Sequence, residues 1–252
     1  MSYLNSKPLI HGVEAEGVAV DYAVPSALLP MALGGRHDLT LLPVADLLRH
    51  TDVLERAPRG GGIACAGPTW TVRLYSRVPL PRVRVLHADT DSHTSVTLAR
   101  ILLKERGGSV PAVEDFAAAR ADWSRDPAPE AVLLIGDKVV TDPPPRRLYP
   151  IELDLGEAWF RTTGLPFTFA AWVRRRDVDA NAVAPLLSLL ERRLTENLRG
   201  LDALVDRYAP AHGWPAELAR DYLGRVLHYR LGKAEEAGIA RYAQLAQAAG
   251  VL

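Results

Sequence analysis

The sequence predicts an α/β protein in which short strands alternate with helices and a helical segment completes the chain. Two observations support this class. In the first part of the chain, short apolar runs typical of strands alternate with apolar stripes of helical spacing. After about residue 178, apolar residues recur only at the three- and four-residue spacing of helices. Alternation of this kind is typical of parallel sheets covered by helices, so we expect parallel strands.

Each predicted strand is an alternating or a fully apolar run between turn residues. Val18, Val20 and Tyr22 alternate in the first strand, whereas the run that ends before Gly136 and Asp137 is entirely apolar. The predicted strands are 17–24, 38–44, 62–67, 71–78, 83–89, 131–137 and 167–175.

Apolar stripes predict the helices. Ser26 suits the N-cap of the first helix and Gly34–Gly35 its end, and Gly107–Gly108 end the helix with the widest stripe. The predicted helices are 26–35, 45–50, 92–108, 184–209, 216–230 and 233–249.

The composition argues against several classes of partner. Lys and Arg total 30, as do Asp and Glu, so the net charge is zero, whereas nucleic-acid and membrane-surface binders show a basic excess. Cys65 is the single cysteine, which excludes an intramolecular disulfide and favours a reducing compartment. The sequence shows no signal-peptide pattern and no apolar stretch near the ~20 residues of a membrane span, so we expect a cytoplasmic protein.

Metal and nucleotide motifs are missing from the sequence. The seven histidines form no HExxH or similar close pair, and Cys65 has no CxxC partner, so we predict no metal site. The glycines of "RGGGIACAG" precede a strand instead of a helix, which argues against a phosphate loop. The chain also lacks a GxSxG elbow, although a Ser-His-Asp triad built from distant residues stays open.

The segment "DTDSHTSV" at 89–96 is the best candidate for an anion site. It follows a predicted strand and opens a helix, whose first turn has unpaired N–H groups and the positive end of the helix dipole. Ser92, Thr94 and Ser95 would add hydroxyl donors. The alternative is that Ser92 caps the helix and the other hydroxyls face solvent.

Two further turns are candidates for ligand contact. Thr69, Trp70 and Thr71 precede a strand, where Trp70 is either a flat wall for a ring or a core residue. Gly136 and Asp137 stand at the carboxyl end of a strand, where open α/β sheets bind ligands, although Asp137 could equally cap the next loop.

Six segments, in this order, resemble the chorismate dehydratase family of the futalosine route to menaquinone: "SYLNSKPL", "HDLTLLPVADLL", "DSHTSVTLARILL", "LLIGD", "DLGEAWFRTTGLPFTFAAW" and "YRLG". The resemblance runs from Ser2 to about Tyr242. A sister family of the same pathway, the 1,4-dihydroxy-6-naphthoate synthases, shares the fold but lacks the "YLN-x-x-PL" opening. It is the second interpretation.

The resemblance implies a two-lobed fold like that of type II periplasmic solute-binding proteins, with a ligand cleft between the lobes and helices at the C-terminal end. Lobe one would comprise residues 1–80 and 170–252, and lobe two residues 83–165. The chain would cross near 78–83 and 164–170. Family members usually have a short strand before the opening loop, whereas the loop here starts at Ser2.

The resemblance also implies the site. The opening loop would face the cleft, with Asn5 catalytic and Ser6 and Lys7 against the substrate. Asp91 and His93 stand where the family is expected to have a serine and an arginine. Asp137 would be the fallback base, and the remaining expected substrate contacts are Thr69, Trp70, Thr71, Ser92, His93, Thr94, Ser95 and Gly136.

The implied reaction converts chorismate, a dianion, to 3-[(1-carboxyvinyl)oxy]benzoate and water without a cofactor. An amide such as Asn5 does not accept a proton near neutral pH. We therefore expect the enolpyruvyl carboxylate of the substrate to be the base and Asn5 to hold it in line. The competing class is a non-catalytic small-anion-binding protein of the same fold. In both cases the expected partner is a small molecule, and the sequence does not define the oligomeric state.

Overall fold

The computed structural model describes residues 2–117, 123 and 128–252, and within them the chain forms two five-stranded sheets. The strands are β1 Thr40–Pro43, β2 Leu54–Arg56, β3 Gly62–Cys65, β4 Val72–Ser76, β5 Val85–Asp89, β6 Ala112–Phe116, β7 Ala131–Ile135, β8 Ile151–Asp154, β9 Phe167–Arg175 and β10 Leu227–His228. The α-helices are α1 Lys7–Ile10, α2 Leu28–Leu33, α3 Val44–Arg49, α4 Thr94–Glu105, α5 Lys138–Thr141, α6 Leu155–Thr163, α7 Ala180–Arg199, α8 Leu201–Tyr208, α9 Ala216–Asp221 and α10 Lys233–Ala249. None of the helices in these described ranges is long and apolar enough to cross a membrane.

The first sheet is organised around β9. This strand pairs with β1, β2 and β3, and β10 extends the sheet beyond β3. All of these pairings are antiparallel, so the predicted parallel arrangement is wrong for this sheet. The reason is that β9 and β10 return from later in the chain and run against the earlier strands.

The second sheet is mixed, with the order β6-β5-β7-β4-β8. β5 pairs parallel with β6 and β7, whereas β4 pairs antiparallel with β7 and β8. All five residues of β7 are buried, as expected for a central strand with both faces covered. The predicted parallel pairing is therefore confirmed only around β5.

The chain passes between the sheets twice, and we call the part built on the first sheet lobe one and the part built on the second sheet lobe two. The first passage lies between β3 and β4, because β4 pairs with β7 and β8 of the second sheet. The predicted passage near 78–83 is therefore wrong, and residues 72–76 belong to lobe two. The second passage lies between β8 and β9, near the predicted return at 164–170.

Residues 17–24, predicted as a strand, do not form one. Val18 and Val20 pack against the core, but this segment pairs with no strand of the described chain. A groove with an empty volume of about 1670 Å³ lies between residues 17–21 and the edge strand β1. Alternation gives a strand only where a partner lies within hydrogen-bonding distance, about 4.8 Å away.

Several helix limits differ from the predicted ones. Gly200 separates α7 from α8, so the single helix predicted over 184–209 is two helices. The helix predicted over 216–230 ends early, because α9 leads into a π-helical turn at Tyr222–Val226 and then into β10. Ser26 lies inside a 3-10 turn and caps no helix.

An aromatic cluster packs behind the second passage. Trp159 of α6, Phe167 of β9 and Tyr242 of α10 meet edge to face, with ring centroids between 5.2 and 6.3 Å apart. All three rings are buried, and the indole N–H of Trp159 donates to the carbonyl of Pro166 at 3.2 Å. Edge-to-face pairs add to the stability that burial alone provides. The cluster therefore fixes α6 against the first sheet and the C-terminal helix.

Candidate active site

A cavity with an empty volume of about 530 Å³, counted out to its open mouth, lies between the two lobes. Its wall is more apolar than polar. The residues that line it are Tyr3, Asn5, Pro25, Pro43, Ile63, Thr69, Thr71, Val72, Ser92, His93, Thr94, Ser95, Ile135, Gly136, Phe169, Ala170, Tyr222 and Leu227. Most of the predicted site residues are among them.

Asn5 belongs to this wall. It sits in a 3-10 turn, Leu4–Ser6, and Pro8 in the first turn of α1 follows it. The amide of Asn5 lies against the hydroxyl of Tyr222, yet its Oδ1 atom is buried and has no hydrogen-bond partner among the described residues. Leaving a buried acceptor unpaired costs about 1–3 kcal/mol. This oxygen is therefore suited to accept a hydrogen bond from a ligand.

The structure does not bring Ser6 or Lys7 to the cavity. The Ser6 hydroxyl donates to the carbonyl of Tyr3 at 2.9 Å and so closes the turn. The Lys7 ammonium lies 5.1 and 5.2 Å from the ring centroids of Tyr22 and Tyr208, and burial lowers the pKa of Lys7. Neither side chain contributes to the cavity wall.

The turn at Thr69–Thr71 is fixed by Asp154. This carboxylate accepts hydrogen bonds from the amides of Thr69 and Trp70 and from two amides in the first turn of α6, at 2.8 to 3.1 Å. Burial raises the pKa of Asp154, and these donors oppose the rise. Trp70 has a left-handed φ of 61°, which is uncommon for a residue with a side chain. The Asp154 bonds hold that conformation, with Thr69 and Thr71 in the cavity wall.

Trp70 forms a second layer behind the wall. It stacks on Tyr222 at 6.3 Å between centroids, and Tyr222 stacks on Trp214 at 4.8 Å. The Tyr222 hydroxyl lies 2.6 Å from the Thr71 hydroxyl. Burial raises the pKa of Tyr222, so its hydroxyl stays protonated near neutral pH. Tyr222 therefore lines the cavity, whereas Trp70 does not.

The first turn of α4 supplies the hydroxyls of the predicted anion site. The Ser92 hydroxyl accepts from the amide of Ser95 at 3.1 Å, which is the capping role foreseen as its alternative. The Thr94 hydroxyl accepts from the amide of Ala45 at 3.0 Å and so links α4 to α3. Ser95 has no hydrogen bond from its hydroxyl to any described residue. This leaves the Ser95 hydroxyl for a ligand.

His93 is held by a buried carboxylate. Its Nδ1 lies 2.8 and 2.9 Å from the two carboxylate oxygens of Asp46, which is 1% exposed. Arg49 lies 3.5 Å from the same carboxylate. Since a carboxylate accepts only, Nδ1 must carry the hydrogen. Nε2 is then the ring nitrogen that remains for the cavity.

A charged cluster closes one side of the cavity. The Lys138 ammonium lies 2.7 Å from Asp89 and 2.9 Å from Asp91, and the Tyr3 hydroxyl donates to Asp91 at 2.5 Å. Burial raises the pKa values of Tyr3 and Asp89, and Lys138 opposes the rise at Asp89. Gly136 has a φ of +74°, and a Cβ atom there would lie 2.6 Å from the Tyr3 ring. Only glycine therefore fits at this position.

Asp137 points away from the cavity. Its carboxylate accepts from Trp214 at 3.0 Å and from the amide of Leu4 at 3.3 Å, and lies 2.7 Å from Nδ1 of His212. Because Asp137 follows β7 of lobe two while its partners belong to lobe one, these bonds join the lobes. Asp137 is absent from the cavity wall, which argues against its role as fallback base.

Sequence reasoning missed two tyrosines of the wall. Tyr3 stands within the opening motif beside Asn5, so the same motif offered a signal for it. Tyr222 lies 151 positions from Thr71, inside an apparent helix stripe, so no local pattern marks it. The apolar wall residues were also missed, because their contact depends on how the two sheets face each other.

Comparison with known proteins gives a consistent assignment. The sequence matches the model of a family described as menaquinone biosynthesis over residues 1–248. Chorismate dehydratase of Thermus thermophilus is 31% identical over 256 residues, which cover 96% of this chain and 92% of that protein.

Solved structures with this fold are more distant in sequence. A protein of Archaeoglobus fulgidus superposes with a TM-score of 0.75 at 14% identity, over 99% of this chain and 96% of that one. A Candida albicans protein with the generic periplasmic binding protein fold has a TM-score of 0.63 at 9% identity, over 100% and 88% of the two chains. The aliphatic sulphonate binding protein of Escherichia coli has a TM-score of 0.62 at 15% identity, over 98% and 88%. These likenesses confirm the predicted fold class.

Replacing Asp154 should damage both stability and the cavity. We expect Asp154→Ala to lower the free energy of unfolding by about 2–4 kcal/mol, since it removes an N-cap and leaves buried amides unpaired. The matched control is Asp179→Ala, which removes a carboxylate that accepts from the amide of Asn181 at the start of α7. That change should cost about 1 kcal/mol. Urea unfolding measures both, and equal losses would show that Asp154 is only a cap.

Asp137→Asn should lower stability without removing turnover. The amide keeps one acceptor but places a donor toward His212 or Leu4, so contacts between the lobes weaken. We expect a lower midpoint of thermal unfolding, with kcat of the folded enzyme of the same order as the parent. A general base typically contributes roughly 100-fold or more. A loss of that size in steady-state kcat, with an unchanged unfolding midpoint, would restore Asp137 as the base.

Proposed function

This chain belongs to the menaquinone biosynthesis family, and we propose that it is a chorismate dehydratase, a carbon–oxygen lyase. It would convert chorismate to 3-[(1-carboxyvinyl)oxy]benzoate and water. The observation that best supports this activity is the wall of the cavity between the lobes. The wall presents hydroxyl donors, the amide of Asn5 and one imidazole. The carboxylates near it already form hydrogen bonds or ion pairs with other groups.

The chemistry asks little of the protein. Chorismate loses a ring proton and the neighbouring hydroxyl, and aromatisation drives the elimination. The enzyme must hold two carboxylates, keep the reacting groups aligned and assist departure of the hydroxyl. None of these steps requires a cofactor.

The first turn of α4 is the proposed clamp for one carboxylate. The N-terminus of this 12-residue helix attracts an anion, and the Ser95 hydroxyl has no described partner. Thr69 and Thr71 add hydroxyls from the Asp154-bound turn. Ser92 and Thr94 stabilise the turn itself through their bonds to Ser95 and Ala45.

Asn5 is the proposed positioning group for the proton transfer. An amide is not a base at neutral pH, and Asp137 is engaged by His212, Trp214 and Leu4. The enolpyruvyl carboxylate of the substrate is the remaining acceptor for the ring proton. The amide of Asn5 can donate to that carboxylate, and its unpaired Oδ1 can accept from the ring hydroxyl.

A direct assay tests the function. We expect the purified protein to convert chorismate to the aromatic ether. Liquid chromatography and the loss of the diene absorbance both measure this conversion. Binding of chorismate without turnover would instead support an anion-binding protein of the same fold. Turnover of a cyclic futalosine product but not of chorismate would support the sister activity.

Asn5→Asp should abolish most turnover while the protein stays folded. The change keeps the size of the side chain, removes the amide donor and places a negative charge beside a dianion. We expect kcat to fall about 100-fold or more, as when a reacting group moves by about an ångström. The matched control is Asn181→Asp at an exposed position of α7, which should keep the parental rate. A near-parental rate for Asn5→Asp, with unchanged circular dichroism, would contradict the positioning role.

A further inference from the structure

Few groups in the cavity wall can exchange a proton near neutral pH. The titratable side chains of the described wall are Tyr3, His93 and Tyr222. Burial raises the pKa values of both tyrosines far above neutrality. Histidine is the side chain whose charge ordinarily changes between pH 5 and 8. His93 is therefore the one described wall residue equipped to deliver a proton during turnover.

The position of the His93 ring is fixed from outside the cavity. Nδ1 lies 2.8 and 2.9 Å from the carboxylate oxygens of Asp46, a residue of α3 in lobe one. His93 itself precedes α4 in lobe two, so the pair spans both lobes. Asp46 and Arg49 of α3 are the charged groups beside its Nδ1, and the Tyr242 hydroxyl of α10 donates to the carbonyl of the next residue, Thr94. The cluster of Asp89, Asp91 and Lys138 is joined to the same cavity wall through the Tyr3 hydroxyl.

We propose that His93, oriented by Asp46, is the general acid that protonates the departing hydroxyl of chorismate. This inference rests on the proposed dehydratase function and adds the residue that completes it. In the protonated ring, Nδ1–H bonds Asp46 and Nε2–H faces the cavity. Asp46 touches no substrate in this scheme and acts as a positioning residue.

The step balances without an oxidant or a reductant. The ring proton at the carbon bearing the enolpyruvyl ether goes to the carboxylate of that group, and the C–H electron pair becomes the new ring double bond. The neighbouring C–O bond breaks with its electrons on oxygen. The proton from Nε2 joins that oxygen, and water leaves. Proton transfer from the new carboxylic acid, directly or through solvent, restores the imidazolium.

The alternative role for His93 is a fixed positive charge that clamps a substrate carboxylate. The two roles separate in a His93→Arg variant, since arginine stays charged but is too weak an acid to donate a proton. Arginine would preserve the function of a clamp, because it keeps the positive charge. It would not preserve the function of a general acid, because it does not release a proton.

The experiment compares kcat and KM for chorismate across pH in four variants. We expect His93→Arg and His93→Gln to lose about 100-fold or more in kcat, with smaller changes in KM, because general acid catalysis contributes roughly that much. The parent should lose kcat as pH rises, since the acid must be protonated, and this alkaline limb should vanish in both variants. In Asp46→Asn kcat should fall while the alkaline limb persists, because the imidazole remains but loses the carboxylate that orients it. His87→Gln, which removes a histidine 3.1 Å from Glu114 on β6, should behave as the parent.

The outcomes separate this inference from the function on which it rests. A parent protein without turnover of chorismate overturns both. An active parent with His93→Arg at the parental kcat overturns the general acid alone, as does an alkaline limb that persists in both His93 variants. If His93→Arg does not fold, added imidazole should restore turnover to His93→Ala at least tenfold, and failure to do so overturns the proposal.

Discussion

The carboxylate of Asp154 lies where the two passages of the chain between the lobes meet. It accepts hydrogen bonds from two amides in the turn after β3 and from two amides at the start of α6. Both passages are therefore bonded to the same buried carboxylate. Burying a carboxylate is costly unless N–H donors surround it, and here four do. The left-handed Trp70 and the stack of Trp70 on Tyr222 and Trp214 follow from this arrangement.

The same principle governs the other carboxylates near the cavity. Each accepts hydrogen bonds or lies in an ion pair with other groups of the protein, so a dianionic substrate would meet no unpartnered carboxylate among the described wall residues. The acids and their main partners are Asp46 with His93 and Arg49, Asp89 and Asp91 with Lys138, Asp137 with His212 and Trp214, and Asp154 with backbone amides. The polar side chains of the described wall are hydroxyls, one amide and one imidazole, a donor-rich set for carboxylates.

The sequence could predict the parts of the site that depend on local pattern. The helix start after β5 is visible because hydroxyl residues follow a strand, and the place of Asn5 in the cavity wall was predicted from a motif of adjacent residues. Asp46 and Tyr222 were not predictable, because they meet His93 and Thr71 only through contacts 47 and 151 positions apart. The failed strand at 17–24 has a similar cause. Its alternation is real, but a strand also needs a neighbour, and tertiary structure decides where neighbours lie.

The bonds that join the lobes at the cavity are polar. Tyr3 with Asp91, His212 with Asp137, and Asp46 with His93 each connect residues of lobe one to residues of lobe two. A hydrogen bond of this kind contributes about 0.5–1.5 kcal/mol net, or about 1.5–3 kcal/mol when one partner is charged. A few of them sum to several kcal/mol, which is the range over which differential binding of a ligand shifts a two-state equilibrium. The arrangement of the lobes and the pairing of His93 with Asp46 are therefore coupled, since separating the lobes also separates the imidazole from the carboxylate that orients it.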